Sequence, residues 1–513
     1  MTRPKKNRHK NKGNVLLLTL LFSTVTMFFI SALTNLTVVN VKSITKRYEI
    51  ETAAQIAEAG INYYRWHLTH DPFDFTDVSC DEEGNNCEEG RPHSMKINTT
   101  DSAGNPIKKT VGYFSLNITP PDPDTGKVTI TSQGTLCNPQ SPGGCTSTAK
   151  KTSRAMMIIP SFTAYGLISD DNLFIPKGTE IFGPVHSNGG IRFDGTAYNT
   201  VTSAATSFDD PTDNLASTFK DGVYTSLQVG TDITSESDVF KVGKKFGQEL
   251  LPNMNFGQII AKLPDLRTAS LTAEGFNQGP CTGGCKGYHV TLRENSTFLL
   301  YKVNQTVNDG NCKKLGTTET AETWDIKLGQ EEFIPGPSSG AYDLPANGIM
   351  FFEDNVWVDG TVENKRITIV AANMNEIPSE LKNIIINGNI TYTNGNQGLE
   401  ALGLIAQNNV LIPLNSPDTL KIDAALMAQE GYVGREPYDN NCTLHTRSKL
   451  TVYGAITTFK PLAFTYYDAA GNTFNSGYNN VEITYDLNLL GAPPPRFPKP
   501  TADQYTMLSL EQF

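Results

Sequence analysis

GLISDDNLFIP at 166–176 and GLIAQNNVLIP at 403–413 agree at Gly166/Gly403, Leu167/Leu404, Ile168/Ile405, Asn172/Asn409, Ile175/Ile412 and Pro176/Pro413. A weaker third copy, MFFEDNVWVDG at 350–360, has Asn355 in the same place. Each copy leads into a second apolar run: EIFGPVHSNGGIRF, KIDAALMAQEGYV and ITIVAANMNEI respectively. LIAQNN at 404–409 recurs as LMAQEG at 426–431, 22 residues on, and IIINGNITY at 384–392 lies one comparable step earlier. The runs are short and bounded by Gly, Asn and Pro, which argues against helices. Short strands at a spacing of about 20 residues are the mark of a solenoid. Residues 161–460 therefore read as a right-handed parallel β-helix with an Ile/Leu/Val/Ala interior. Asn at the corners suits the left-handed conformation that a sharp turn needs. The stretch 200–345 repeats poorly and reads as a long insertion from one corner. A β-sandwich would explain the strand count but leaves the duplication without a cause.

The composition agrees with a mainly β chain. Among 513 residues there are 43 Gly and 29 Pro, many of them at turn signals. Charged residues make up 19% and hydrophobic ones 38%, which argues against wholesale disorder. The net charge is −11, and the first 13 residues hold six Lys/Arg and no acid, so the rest carries −17. A body that acidic is a poor partner for nucleic acid. The length allows two to four domains.

Residues 14–41, NVLLLTLLFSTVTMFFISALTNLTVVNV, carry no charge. As a helix this run reaches ~42 Å, more than the ~30 Å hydrocarbon core of a bilayer. The basic residues 1–13 predict that this end stays on the cytoplasmic side, with the body outside. A cleaved signal peptide is the alternative, but its apolar region is usually only about 7–15 residues and ends at a small-x-small site. Thr34, Asn35, Thr37 and Asn40 suit a helix end that leaves the lipid or packs on partner helices. Beyond Val41, Ile44, Tyr48, Glu51/Thr52, Gln55/Ile56, Ala59 and Tyr63 continue the helical spacing. No Pro follows before Pro72, so one helix is expected from about Asn14 to Leu68.

After it come MKINTT, VGYFSLNITP, GKVTITSQGTL and SRAMMIIP, separated by turns such as PDPDTG and PQSPGG. They read as a hairpin meander. The expected organisation is a basic leader 1–13, a membrane or rod helix 14–70, a small β-rich head 71–160, the solenoid 161–460, and a C-terminal strand and Pro-rich tail 461–513.

The leader ending in Gly13, the long apolar helix, and ETAAQIAEAGINYYRWHL closing on Ala57-Glu58-Ala59-Gly60 resemble the N-terminus of PilX-like and related pseudopilin-type minor pilins. The resemblance implies cleavage between Gly13 and Asn14 by a prepilin peptidase. It also implies packing against other pilin or pseudopilin subunits through the helix, and residence in the inner membrane before assembly. Major pilins carry a Glu five residues after the cut, where this chain has Leu18. GPVHSNGGIRF, FFEDNVWVDGTV, LGLIAQNNVLIP and TYDLNLLGAPPPRFP resemble β-helical bacterial surface proteins that carry pilin-like N-termini.

Eight cysteines, Cys80, Cys87, Cys137, Cys145, Cys281, Cys285, Cys312 and Cys442, all lie outside the apolar helix, and an even count there suggests disulfides. Cys80–Cys87 and Cys137–Cys145 would staple loops. Cys281 and Cys285 in CTGGC close on themselves or pair with Cys312 and Cys442. A zinc site is the rival reading, with His289 as a lone companion. His67 and His70 read as solvated or capping groups, and His186 as a corner residue.

For an enzyme acting on polysaccharide, Asp170, Asp171, Glu353, Asp354 and Asp359 are the candidate acids, though acids beside Asn corners are common for turn reasons alone. No phosphate loop, Gly-x-Ser-x-Gly or His-Glu-x-x-His occurs. The expectation is a surface or pilus-associated protein without catalytic residues, cofactor or metal, binding an unknown surface ligand. A membrane-anchored β-helix lyase or hydrolase and a passive envelope or S-layer-like element are the alternatives.

Overall fold

Backbone pairing orders this chain in a way its sequence does not. The computed structural model describes residues 14–72, 74–79, 88–101, 103–121, 126–137, 147–211, 218–247, 254–257, 263–374, 380–467, 473–499 and 505–513. The protein is mainly β with one long N-terminal apolar helix. It divides into two units: one holds the residues to Pro120 with Val128–Met157 and Met507–Phe513, the other Pro121–Lys127 and Ile158–Thr506.

In the first unit, helix α1 runs from Asn14 to His70 without a break. Its second half buries Ala53, Ile56, Ala57, Ile61, Tyr64 and Leu68, one stripe at helical spacing. The stripe meets an antiparallel meander of Pro106–Thr119, Val128–Cys137 and neighbouring strands His93–Thr100 and Ser147–Ile158. Two glycines set the closeness of that contact. A Cβ on Gly134 would stand 2.2 Å from the Ala53 carbonyl oxygen, and one on Gly60 would stand 2.2 Å from Ser132 Oγ. The Ala57–Gly60 stretch is thus the part of the helix that lies against the sheet. The fifth strand, Thr506–Gln512, was expected in a Pro-rich tail. Phe513 and Thr152 exchange main-chain hydrogen bonds across this edge, with the Phe513 N–H donating at 2.9 Å.

In the second unit the strands line up in parallel ladders. The longest runs Phe276–Gln278, Ile349–Phe352, Arg366–Ala371, Ala401–Ala406, Thr419–Ala428, Thr446–Thr458, then Leu167–Ser169, Val185–Ser187, Val201–Ser203 and Lys244–Phe246. The stack therefore begins in the middle of the chain, and the N-terminal strands follow the C-terminal ones. A second ladder joins Gly287–Arg293, Val356–Val362, Ile384–Tyr392, Val410–Ile412 and Val433–Arg435. A third joins Thr419–Ala428, Thr446–Thr458, Phe474–Tyr485, Thr179–Phe182 and Thr196–Ala197.

Side chains alternate across the long ladder as the period of two demands. Met350, Ile369, Leu404, Leu426, Ile456, Leu167, Val185 and Val201 point into one buried core. Phe351, Val370, Ile405, Met427 and Ile168 point to the other side. There the helix Leu263–Ser270 and a segment containing Leu489 and Phe497 cover them. The proline-rich stretch is therefore packed, not projecting: Thr368 Oγ1 donates to the Pro495 carbonyl at 2.7 Å.

All three sequence copies occupy equivalent places, but they are not neighbours. Leu404 pairs with Leu426, which pairs with Ile456, which pairs with Leu167. IIINGNITY also differs from the expectation, since Ile384 pairs with Val410 in the second ladder and not with the 404–409 run. Within 200–345, Val201–Ser203, Val223–Tyr224, Lys244–Phe246, Phe276–Gln278 and Gly287–Arg293 pair in parallel with strands elsewhere in the unit. Antiparallel pairing there joins Gly287–Arg293 to Thr297–Val303, Thr297–Val303 to Glu331–Ile334 and Tyr342–Asp343, and Ser207–Asp209 to Phe219–Asp221.

The corner asparagines do not serve by left-handed geometry, since none of Asn172, Asn355, Asn383 or Asn409 has a positive φ. They act through their side chains. Asn383 N–H donates to Asn355 Oδ1 at 2.9 Å, Asn409 N–H to Asn383 Oδ1 at 3.1 Å, and Tyr432 N–H to Asn409 Oδ1 at 2.9 Å. Gly190 N–H donates to Asn172 Oδ1 at 2.7 Å. Each amide meets a main-chain donor of the next strand layer that the ladder leaves open at the turn. Asn409→Ala should cost about 1–2 kcal/mol in chemical denaturation by orphaning the Tyr432 N–H, whereas Asn408→Ala should change little.

Candidate functional site

Residues 15–41 of α1 are exposed and uncharged, in contrast to the packed stripe that follows. The helix is long and apolar enough to cross a membrane, a property shared by anchors and signal sequences. Asn14 begins it, and Gly13 lies outside the described residues. Leu18 is exposed with its apolar neighbours. At the far end His70 Nδ1 lies 2.9 Å from the Trp66 carbonyl and His67 Nε2 lies 3.2 Å from Asp74 Oδ2. Both histidines thus finish the helix.

The structure holds each of the five candidate acids by a separate partner and does not bring them together. Asp170 Oδ1 accepts from Asn188 Nδ2 at 2.6 Å, and Asp171 Oδ1 from the Asn172 N–H at 2.7 Å. Glu353 pairs with Arg267 at 2.7 Å. Asp354 pairs with Lys382 at 3.2 Å and accepts from the Cys281 N–H at 3.1 Å. Asp359 accepts from His289 Nε2 at 3.0 Å and from Asn387 Nδ2 at 2.8 Å.

His289 is also bound by Glu331, 2.6 Å from its Nδ1. Burial alone would lower its pKa. The hydrogen bonds and charges of Asp359 and Glu331 outweigh that and raise it to about 9. Near neutrality it is an imidazolium with both N–H groups donated, so it has no lone pair with which to accept a proton. His186 is the opposite case. Thr202 gives its hydroxyl proton to the Val185 carbonyl, so His186 Nδ1 donates to Thr202 Oγ1 at 3.0 Å. Its Nε2 is buried, and burial, only partly offset by the Asn188 side chain, lowers its pKa to about 4.

One further cluster has no local signature in the sequence. Arg192 Nε donates to Asp194 Oδ2 at 2.8 Å and its Nη1 lies 3.8 Å from Asp210 Oδ2. Tyr224, paired with Arg192 in a separate parallel sheet of Leu173–Ile175, Ile191–Phe193 and Val223–Tyr224, donates to the same Asp210 oxygen. Asp194 also accepts from the Ser226 N–H at 2.8 Å. Burial and the Asp210 hydrogen bond hold the Tyr224 phenol far above its usual range, so it keeps its proton. Sequence reading missed this group because its members are spread over 33 residues at unrelated spacings.

Cys281 is bonded to Cys285, with Cα atoms 6.0 Å apart, and Cys312 to Cys442, 4.5 Å apart. Cys137 is disulfide-bonded. Cys80, Cys87 and Cys145 lie outside the described residues. Among the described residues no group of three or more His, Cys, Asp or Glu is arranged to hold a metal ion.

No family model and no curated protein matches this sequence. Among solved structures the chain is similar to the crystal structure of the competence-associated pilin ComZ from Thermus thermophilus. The identity is 14%, the TM-score 0.29, and the match covers 91% of this chain and 98% of that one.

The two buried histidines predict the pH dependence of stability. His186, depressed to about 4, contributes stability present above about pH 6.5 and lost as pH falls through about 4. His289, raised to about 9, contributes stability present below about pH 6.5 and lost as pH rises through about 9. Each limb is worth about 3 kcal/mol. Thermal unfolding between pH 4 and 9.5 should show both limbs, and His289→Gln should flatten the alkaline one only.

Proposed function

We propose that this chain is a non-enzymatic surface protein associated with a type IV pilus, in the manner of a minor pilin. Its C-terminal unit is read as a right-handed parallel β-helix displayed for adhesion or assembly. The observation that carries the reading is the division of α1. One half, residues 15–41, is uncharged and exposed, while the other half is sealed onto a small antiparallel sheet by Gly60 and Gly134. A helix so divided suits a subunit whose apolar half sits in a bilayer or against like helices, since side-by-side apolar helices associate by packing. Its partners are other pilin or pseudopilin subunits, the inner membrane, and a surface ligand of unknown chemistry. The parallel ladders and the asparagine contacts between successive layers support the solenoid reading.

The commitment of Asp170, Asp171, Glu353, Asp354 and Asp359 to separate partners supports a body that binds and does not turn over substrate. The second reading, an anchored enzyme acting on polysaccharide, is favoured by one observation: Arg192, Asp194, Asp210 and Tyr224 meet at one place.

Two measurements test this. Intact-mass analysis of protein from membranes should show Asn14 as the first residue, and deletion of 1–44 should release the body into the soluble fraction. A start near residue 40 would support signal peptidase and end the pilin reading. Purified 45–513 should leave pectin, alginate, chitin and peptidoglycan fragments uncut. Cleavage abolished by Asp210→Asn would establish the enzyme instead.

A further inference from the structure

The two described disulfide pairs sit in opposite surroundings. Cys312 and Cys442 are fully buried, packed with Ala321, Leu414 and Tyr438. They close a sequence separation of 130 residues. Cys281 and Cys285 close a separation of four, and the Thr282-Gly283-Gly284 loop between them is exposed. Gly283 and Gly284 have φ of 86° and 78°, and nothing lies within 4 Å of where a Gly284 side chain would begin. The loop side of the bond is therefore exposed, with Cys285 half-buried, while Cys281 packs against the core. The Lys302 ammonium lies against this loop, 3.8 Å from where a Gly283 side chain would begin, and Lys286 follows Cys285 directly.

Reactive cysteines sit in electropositive, partly exposed surroundings, because the thiolate is the species that exchanges. Exposed disulfides are the labile ones. A short loop also gives less unfolded-state constraint than a long one. Access, charge and loop length all point to the same bond.

We propose that Cys281–Cys285 is a thiol-exchange site, opened by a dithiol of small-molecule or protein origin while Cys312–Cys442 stays closed. The incoming thiolate adds to Cys285 Sγ. The S–S bond breaks and its electron pair leaves on Cys281 Sγ. The second thiolate of the dithiol then attacks its own sulfur in the mixed disulfide and expels Cys285 as thiolate. The dithiol becomes a disulfide, two electrons pass to this chain, and the two protons lost by the dithiol go to the cysteine thiolates or to water. Opening frees the Cys281 end of the loop. The Cys281 N–H now donates to Asp354, which also accepts from the N–H of Asn355 at the head of the asparagine series.

The test uses the full chain in detergent at pH 7.5. It is treated with dithiothreitol for graded times, alkylated, and mapped by peptide mass so that each cysteine is read separately. Cys281 and Cys285 should become alkylated at least about tenfold faster than Cys312 and Cys442. Lys302→Gln should slow that step about threefold in low salt, and high salt should shrink the difference. Equal or faster opening of Cys312–Cys442, or a 281–285 bond that opens only when the protein unfolds, overturns the proposal. A 281–285 bond that opens first but at a rate indifferent to Lys302→Gln overturns the role given to the charge.

Discussion

The main-chain pairing of Ile456, Thr457 and Thr458 with Leu167, Ile168 and Ser169 is the seam on which the second unit depends. On one side of it the strands run from Phe276 to Thr458, and on the other from Leu167 to Phe246. A matching seam lies in the third ladder, where Val481–Thr484 pair with Thr179–Phe182. Without these pairings the stack would be two shorter stacks, each with an open parallel edge. Such an edge is a row of unpaired N–H and C=O groups and a template for association. The seam also joins residues nearly 290 positions apart, so one edge of the strand Leu167–Ser169 is paired early by Val185–Ser187 and the other only when the last strands are made. Closure over that separation is slow, and the waiting edge is exposed while it happens. The first unit shows the same habit, because its fifth strand, Thr506–Gln512, comes from the other end of the chain.

Two local devices make the close packing possible. Between layers, the amides of Asn172, Asn355, Asn383 and Asn409 each accept from a main-chain N–H that the ladder leaves open. Between helix and sheet, Gly134 and Gly60 remove the side chains that would hold α1 away from the meander. The first device explains why Asn recurs in the repeat. The second gives a steric reason for Gly60 at the end of the Ala57–Gly60 stretch.

Much of this could be read from the residues. The uncharged run and its continuation gave α1 almost to the residue, and alternation in VGYFSLNITP and its neighbours gave the meander. The copies at 166, 350 and 403 do fill equivalent places, with Leu167, Met350 and Leu404 in one buried column. Periodicity establishes equivalence and not adjacency, however, so it could not show that Leu167 follows Ile456. The strand of two residues at 223–224 is too short for any pattern to mark it. The clusters around His289 and Arg192 escaped for a related reason. Glu331 lies 42 residues from His289 and Asp359 70, so only the lateral registry of the ladders brings them together.

The order of strands across the seam can be measured directly. Glu482 and Glu180 are paired neighbours on an accessible face. Nitroxide labels at Glu180→Cys and Glu482→Cys, read by pulsed electron resonance in the full chain, should lie within about 20 Å of each other, since adjacent strands are ~4.8 Å apart. A stack following chain order would separate the first and last of some ten layers by ~45 Å. A distribution centred near that longer value would contradict the account.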